Sequence, residues 1–279
     1  MASILALFSS VLWGTADYLG GNLAKRFPAI AVTGASQGFG LVLGIILVIS
    51  SGSYIAPNLN WDGYFLPAIG AGIAGFLGLV SFYSGLSTGR MGVVSPISTL
   101  SAVIPLSVAF LSGERPTSIQ IIGMTVAIFG AFCASGPDIV KGLPIKPLLY
   151  GLGAALGFGI ALALMAQGSK TSSLLTMTSM RVASVSFCIL LAIRYRSVGG
   201  FKVGDLKILI IIGATDFVAN LLLGVATTKG LISVAMVFGS LFPIVTALLA
   251  FKFLHERLHR IQYLGIILAV SGVSLISIG

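Results

Sequence analysis

Long apolar runs, separated by short clusters of Gly, Pro, Ser and charged residues, dominate the chain from end to end. Ten runs of 18 or more residues carry few or no charges, at about 4–23, 30–50, 66–86, 91–111, 118–136, 147–167, 174–194, 207–227, 231–251 and 261–278. Such lengths suit helices crossing the roughly 30 Å hydrocarbon core of a bilayer, whereas barrel strands alternate over about ten residues. In lipid every backbone polar group must be bonded internally, so the pattern predicts an all-α integral membrane protein of ten transmembrane helices. The first run lacks a basic start and a small-residue cleavage site, and Gly14, Asp17, Gly20 and Gly21 pattern it. It reads as the first helix rather than a signal peptide.

The pattern also repeats. Ser95 and Pro105 recur as Ser233 and Pro243 at an offset of 138 (95 to 233), while Glu114-Arg115, Gly123 and Gly130 recur as Glu256-Arg257, Gly265 and Gly272 at 142 (114 to 256). The difference is about one helical turn. Trp13-Gly14 and Lys25 match Phe158-Gly159 and Lys170 at 145, Gln37 matches Arg181 at 144, and Gly85 to Arg90 matches Gly224 to Lys229 at 139. The turn-rich stretch from Gly136 to Pro147, with three prolines, divides five spans from five and sets the repeats at 1–137 and 147–279. An odd number of spans per copy brings the second copy in from the opposite face. The expected fold is therefore two inverted five-helix repeats, an architecture in which two halves exchange conformations around a midplane site.

Composition agrees with the spans: 57% of the residues are hydrophobic and 8% charged, against about a quarter charged in soluble domains. The net charge of +9 comes from 16 Lys and Arg scattered at helix ends, without the basic, aromatic-rich surface that nucleic acid requires. Twelve of them (Lys25, Arg26, Arg90, Lys141, Lys146, Arg194, Arg196, Lys202, Lys207, Lys252, Arg257 and Arg260) fall in odd-numbered connections, and Arg115, Lys170 and Lys229 in even ones. By the positive-inside rule the odd loops are cytoplasmic and both termini outside. Cys133 and Cys188 lie within spans and read as small buried apolar residues. No loop exceeds about fifteen residues, so no soluble domain carries a separate activity.

Trp13-Gly14, the duplicated five-helix unit, and Gly113-Glu114-Arg115 and His255-Glu256-Arg257-Leu258 after the fourth and ninth spans together resemble the EamA branch of the drug/metabolite transporter superfamily. The resemblance covers nearly the whole chain. It implies a basket of ten helices with a central cavity lined mainly by helices 1, 3, 4, 6, 8 and 9, and export, less often uptake, of small metabolites such as amino acids. It also implies cytoplasmic termini, opposite to the loop charges, and Pro116 stands where the family usually has an apolar residue.

Away from their ends, the spans hold three formal charges, Asp17, Arg181 and Asp216. A charge at the bilayer centre costs about 2.5–3.5 kcal/mol on insertion scales, so such residues face a cavity or one another. Arg181 and Asp216 reach similar depths from opposite faces. They form either a buried ion pair that fixes packing or a binding pair in which Arg181 takes a carboxylate and an aspartate takes an amine. Asn220, four residues after Asp216, shares its helix face. Trp13 and Asp17 give the first helix an aromatic and acidic face that suits an amino group, and either aspartate is a candidate for proton coupling. Tyr83, between Ser81 and Ser84, is either a hydrogen-bonding wall or a buried interface residue. Pro105 and Pro243 are matched kinks or hinges of a gate.

His255-Glu256-Arg257-Leu258-His259 has the H-E-x-x-H form of zinc metalloproteases. The earlier repeat keeps Glu114-Arg115 without flanking histidines and no third-ligand motif stands by, so the match reads as coincidence. With no phosphate loop, nucleophile triad or cofactor motif, the expectation is no enzymatic activity, no cofactor and no metal.

These residues predict an alternating-access secondary transporter, an exporter by resemblance, of a small polar or amphipathic metabolite such as an amino acid. The expected setting is a cell membrane, a bacterial inner membrane by circumstance, with the chain as monomer or homodimer, no nucleic acid and protons as the candidate coupling ion. Trp13, Asp17, Tyr83, Arg181, Asp216 and Asn220 are expected around the substrate, and Pro105 and Pro243 at the gates. An intramembrane zinc metalloprotease and a non-transporting membrane scaffold are the alternatives from other classes.

Overall fold

The computed structural model describes residues 1–88, 91–134, 145–195, 199–253 and 259–279, which are helical with short connections and no strand among them. In chain order the helices are α1 (Ala2–Leu23), α2 (Ala29–Ser51), α3 (Phe65–Ser87), α4 (Met91–Thr99) and α5 (Val103–Leu111). They continue as α6 (Ser118–Ala134), α7 (Ile145–Tyr195), α8 (Val203–Thr227), α9 (Ile232–Gly239), α10 (Phe242–Phe253) and α11 (Arg260–Ile278). The motif residues His255, Glu256, Arg257 and Leu258, the loop cations Arg90, Lys141 and Arg196, and most of the boundary between repeats lie outside the described residues.

Seven of the described helical stretches are long and apolar enough to cross a bilayer, fewer than the ten spans expected, and the reasons are local. The span over 91–111 is interrupted by a 3-10 turn, Leu100–Ala102, and that over 118–136 is described as a helix of 17 residues, Ser118–Ala134; the span over 231–251, still long enough to cross as Ile232–Phe253, is itself broken by a turn at Ser240 and Leu241. Each interruption lies just ahead of a proline, Pro105 or Pro243, whose missing N–H deprives the carbonyl four residues back, Ser101 or Gly239, of its helical donor. The spans over 147–167 and 174–194 run together in α7, where Ser172 alone leaves helical geometry (φ −161°, ψ 113°). Its Oγ accepts from Leu175 N–H at 3.3 Å, capping the second half. The chain reverses there: a Cβ on Gly168 would lie 2.8 Å from Thr176 Cγ2, whereas eight residues along a straight helix rise about 12 Å.

Glycines fix how the helices pair. Gly123 of α6 abuts Gly272 of α11 and Gly130 abuts Gly265, backbone to backbone, so these two glycine-seven-apart helices cross antiparallel at the closest approach small residues permit in lipid. On α3, Gly70 meets Leu164, Gly78 meets Phe158 and Gly85 meets Tyr150 in the first half of α7, again antiparallel. On α2, Gly34, Gly40 and Gly44 meet Cys188, Arg181 and Thr178 of its second half in the same sense. The crossings of the broken helices also correspond: Gly14 of α1 faces Phe242 and Val245 of α10, and its repeat partner Gly159 faces Ser101 and Ile104 ahead of and within α5.

Matching caps begin α6 and α11. Thr117 and His259 each donate their backbone N–H to a glutamine three residues on, Gln120 at 3.0 Å and Gln262 at 2.8 Å. Gly230 lies against Ala2 and Gly279 against Thr117, which puts both chain ends on the side of the 112–117 and 228–231 loops. Outward faces of the long helices expose Ile45, Ile46, Ile49, Leu149, Leu190 and Ile267, a surface for lipid chains. The chain is a multi-pass membrane protein.

Candidate functional site

Asp216 on α8 is the hub of a polar cluster in the middle of the bundle. Its Oδ2 accepts from Arg181 Nη2 at 2.8 Å and Gln37 Nε2 at 2.9 Å, and its Oδ1 from Trp13 Nε1 and Asn220 Nδ2, each at 3.1 Å. Asn220 sits one turn on and also donates to the Asp216 carbonyl at 2.7 Å. Ser184 donates to Gln37 Oε1 at 3.1 Å and so orients the amide that serves Asp216. Four side chains from α1, α2, α7 and α8 therefore satisfy one carboxylate. The Arg181 and Asp216 side chains are 5% and 15% exposed, and a buried pair persists only when its remaining valences are met in this way.

Arg181 is less completely satisfied than its partner. Its guanidinium carbon lies 5.9 Å from the Phe217 ring centroid. Nε is buried without a partner against Gly40, where a Cβ would lie 3.2 Å away. Nη1 makes no hydrogen bond among the described residues.

Beside this cluster is a cavity of about 80 Å³, well below the roughly 300–1,000 Å³ of drug-sized ligand pockets. Trp13, Asp17, Gln37, Arg181, Asp216, Asn220 and Ser101 line its polar side. Phe76, Leu79, Phe158, Leu162, Met165, Met180 and Phe242 supply apolar walls. Asp17 is buried and accepts no hydrogen bond among the described residues. Since Asp216 is neutralised by Arg181, Asp17 is the carboxyl group at the cavity with no partner among the described residues. Behind the wall Phe82 stacks edge-on against both Phe158 and Phe242, with ring centroids 5.7 and 6.3 Å away, and Trp13 meets Phe242 at 6.3 Å.

Five of the six residues expected around a substrate, Trp13, Asp17, Arg181, Asp216 and Asn220, line this one cavity. Tyr83 does not: it is fully buried, packed against Gly20 of α1 and tilted against Phe82. A glycine opposite it leaves a slot that an aromatic side chain fills, which is why a tyrosine between serines sits at an interface here. Pro105 and Pro243 are buried near the starts of α5 and α10, and the breaks they follow bring Ser101 and Phe242 to the cavity.

The lining is wider than helices 1, 3, 4, 6, 8 and 9. α2 contributes Gln37 and the second half of α7 contributes Met180 and Arg181, because Gly40 and Gly44 draw α2 close enough to α7 and α8 for its amide to reach Asp216. The correspondence of Gln37 with Arg181 carried that signal. Trp13 and its counterpart Phe158, and Asp17 and its counterpart Leu162, also lie in the lining. Ser184 carried no sequence signal. Among the described residues no group of three or more His, Cys, Asp or Glu is placed to hold a metal ion.

The EamA-like transporter family model matches residues 1–136 and again 145–278. An uncharacterized protein of Methanocaldococcus jannaschii is 27% identical over 134 residues, which are 47% of this chain but 96% of that protein. A crystal structure of another protein superposes with a TM-score of 0.79 over 99% of this chain and 96% of its own, at 16% identity. That likeness speaks for the fold. On the two successive matches, which together span nearly the whole chain, the protein belongs to the EamA-like transporter family.

Proposed function

We propose that the protein is a secondary transporter that moves a small zwitterionic metabolite, such as an amino acid, by alternating access. The observation that carries this reading is the pairing at one small cavity of the Asp17 carboxyl and the Arg181 Nη1, neither of which is bonded among the described residues. A carboxylate meets an amino group and a guanidinium meets a carboxylate. The cavity's small volume and apolar walls suit a solute of few heavy atoms whose side group is uncharged. Trp13, held by Asp216, and Asn220 shape the pocket, and Tyr83 supports α1 from behind.

The scaffold is ten helices in two inverted repeats, 1–137 and 147–279. The antiparallel crossing of α6 with α11, their matching caps and the matched crossings at Gly14 and Gly159 support this relation. So does a relative whose near-entire length matches about half of this chain. Pro105 and Pro243 are hinges in the broken helices, export is the direction that the family favours, and protons on Asp17 are the candidate coupling ion. The setting is a bacterial inner membrane, with the chain as monomer or homodimer and lipid as its partner.

Solute counterflow into proteoliposomes tests this. A panel of labelled amino acids is compared with the amines and carboxylic acids that each retain one charged end. Uptake of a zwitterion in preference to both one-ended analogues is expected. Equal uptake of the amine would remove Arg181 from recognition, and no uptake of any of them would overturn the substrate class.

A further inference from the structure

Outside the cavity, the most fully built polar contact between the two matched segments among the described residues belongs to Glu114, the acid of the repeated Glu-Arg motif. Helix α5 ends in a turn in which Ser112, Gly113 and Glu114 N–H reach back to Val108, Phe110 and Ala109 carbonyls at 2.8, 3.1 and 3.0 Å. Gly113 takes φ +97°, a left-handed conformation that glycine adopts without strain. The turn aims the Glu114 carboxylate at the start of α9. There Oε1 accepts from Ile232 N–H at 2.6 Å, and Oε2 from Ser233 N–H at 3.0 Å and Ser233 Oγ at 2.7 Å.

Helix α9 has no side-chain cap of its own, and its Ncap Leu231 is extended. Its first N–H groups are therefore satisfied by a carboxylate from the other segment, where the helix dipole also favours negative charge. The helices so joined are the two proline-broken ones. α5 follows the turn that brings Ser101 to the cavity, and α9 leads into α10, which carries Phe242.

We infer that Glu114 is a positioning residue for transport: it clasps the two broken helices on the face of the 112–117 and 228–231 loops and holds the cavity shut toward that face. This rests on the alternating-access reading. Opening there requires α9 to part from α5, which exposes three donors of α9 at once. The clasp thus sets the balance between the two access states without touching the solute.

The test reads access rather than transport. In a background with Cys133→Ser and Cys188→Ser, Leu162→Cys places a thiol at the cavity, and Lys229→Cys in a parallel sample marks the clasp face. A membrane-impermeant methanethiosulfonate is applied from either side of oriented proteoliposomes. Glu114→Gln is expected to raise cavity labelling from the clasp face about tenfold, the factor that about 1.4 kcal/mol supports, and to lower it from the opposite face. Ser233→Ala, which removes one of the three bonds, is expected to shift labelling the same way by about twofold to threefold, and serves if Glu114→Gln does not fold. Unchanged labelling, or a rise from both faces alike, overturns the clasp. If the parent labels from both faces and Glu114→Gln changes nothing, the clasp alone fails. If the parent's cavity labels from one face only and no variant changes that, the transporter reading fails with it.

Discussion

The ion pair at the centre of the bundle makes a quantitative prediction about its own removal. Asp216→Asn takes the charge from a carboxylate that serves Arg181, Gln37, Trp13 and Asn220, and leaves a guanidinium that is 5% exposed with no counter-charge. Removing one member of a buried pair costs about 3–5 kcal/mol, whereas replacing both by apolar groups of similar volume is often neutral. Arg181→Met alone instead leaves the Asp216 carboxyl with three neutral donors, so its cost should fall at the low end of that range. Arg181→Met with Asp216→Leu should recover most of the loss, at the cost of the unserved Gln37 amide and Trp13 indole N–H. At roughly 2–4 °C per kcal/mol for a chain of this size, Asp216→Asn should lower the melting temperature of the detergent-purified protein by about 10 °C. The double variant should lie within a few degrees of wild type. The assay is thermal unfolding of the four proteins at equal detergent and lipid. Additive losses, or an Asp216→Asn protein as stable as wild type, would refute the reasoning that the pair is structurally coupled.

Other outcomes follow from close approaches. Gly130→Ala puts a methyl group against the Ala269 backbone, with Gly265 O at 2.8 Å, and should cost about 1–3 kcal/mol by overpacking. Gly38→Ala meets nothing within 4 Å and should stabilise by up to about 1 kcal/mol through helix propensity; a melting comparison of the two variants checks both. Tyr83→Phe removes a hydroxyl that bonds nothing among the described residues. It should keep stability within about 0.5 kcal/mol and leave solute-induced stabilisation intact, so a lost solute response would return Tyr83 to the site. Elemental analysis of protein purified without chelator should find zinc far below one atom per chain, and stoichiometric zinc would reopen the His255 to His259 motif.

Much of this arrangement was legible in the residues, for reasons that also mark where legibility stopped. Apolar run length revealed the membrane class, because lipid leaves a chain few ways to satisfy its backbone. Charge rarity singled out Asp17, Arg181 and Asp216, because a charge is kept in lipid only where it has a partner or a purpose. Depth along two helices brought Arg181 and Asp216 to one level, and the structure joins them at 2.8 Å. Pro105 and Pro243 marked the broken helices, though a missing N–H does not say whether a helix bends or, as here, lapses into a turn. The reversal of α7 at Ser172 falls in the gap between the spans at 147–167 and 174–194, although the residue that turns is a serine four positions after the nearest glycine, Gly168. The partner of Glu114 was hidden because it lies 118 residues away at Ile232. The periodicity that identified the motif reports repetition within a chain and says nothing of which helix start each copy caps. Of the two readings open for Tyr83, its burial against Gly20 favours the interface one, while Ser184, which orients Gln37, carried no signal in the residues.

The central claim is that Asp17 and Arg181 receive the two ends of a small zwitterion, and its most direct test is ligand-induced stabilisation of wild type and Asp17→Asn. A solute at 100 times its dissociation constant adds about 2.7 kcal/mol to the native state, equivalent to roughly 5–11 °C at this chain size. At least one amino acid is expected to produce such a shift in wild type and none in Asp17→Asn, which itself melts near the wild-type temperature because Asp17 bonds no other described residue. An equal response in both proteins, or stabilisation by amines alone, would contradict the claim.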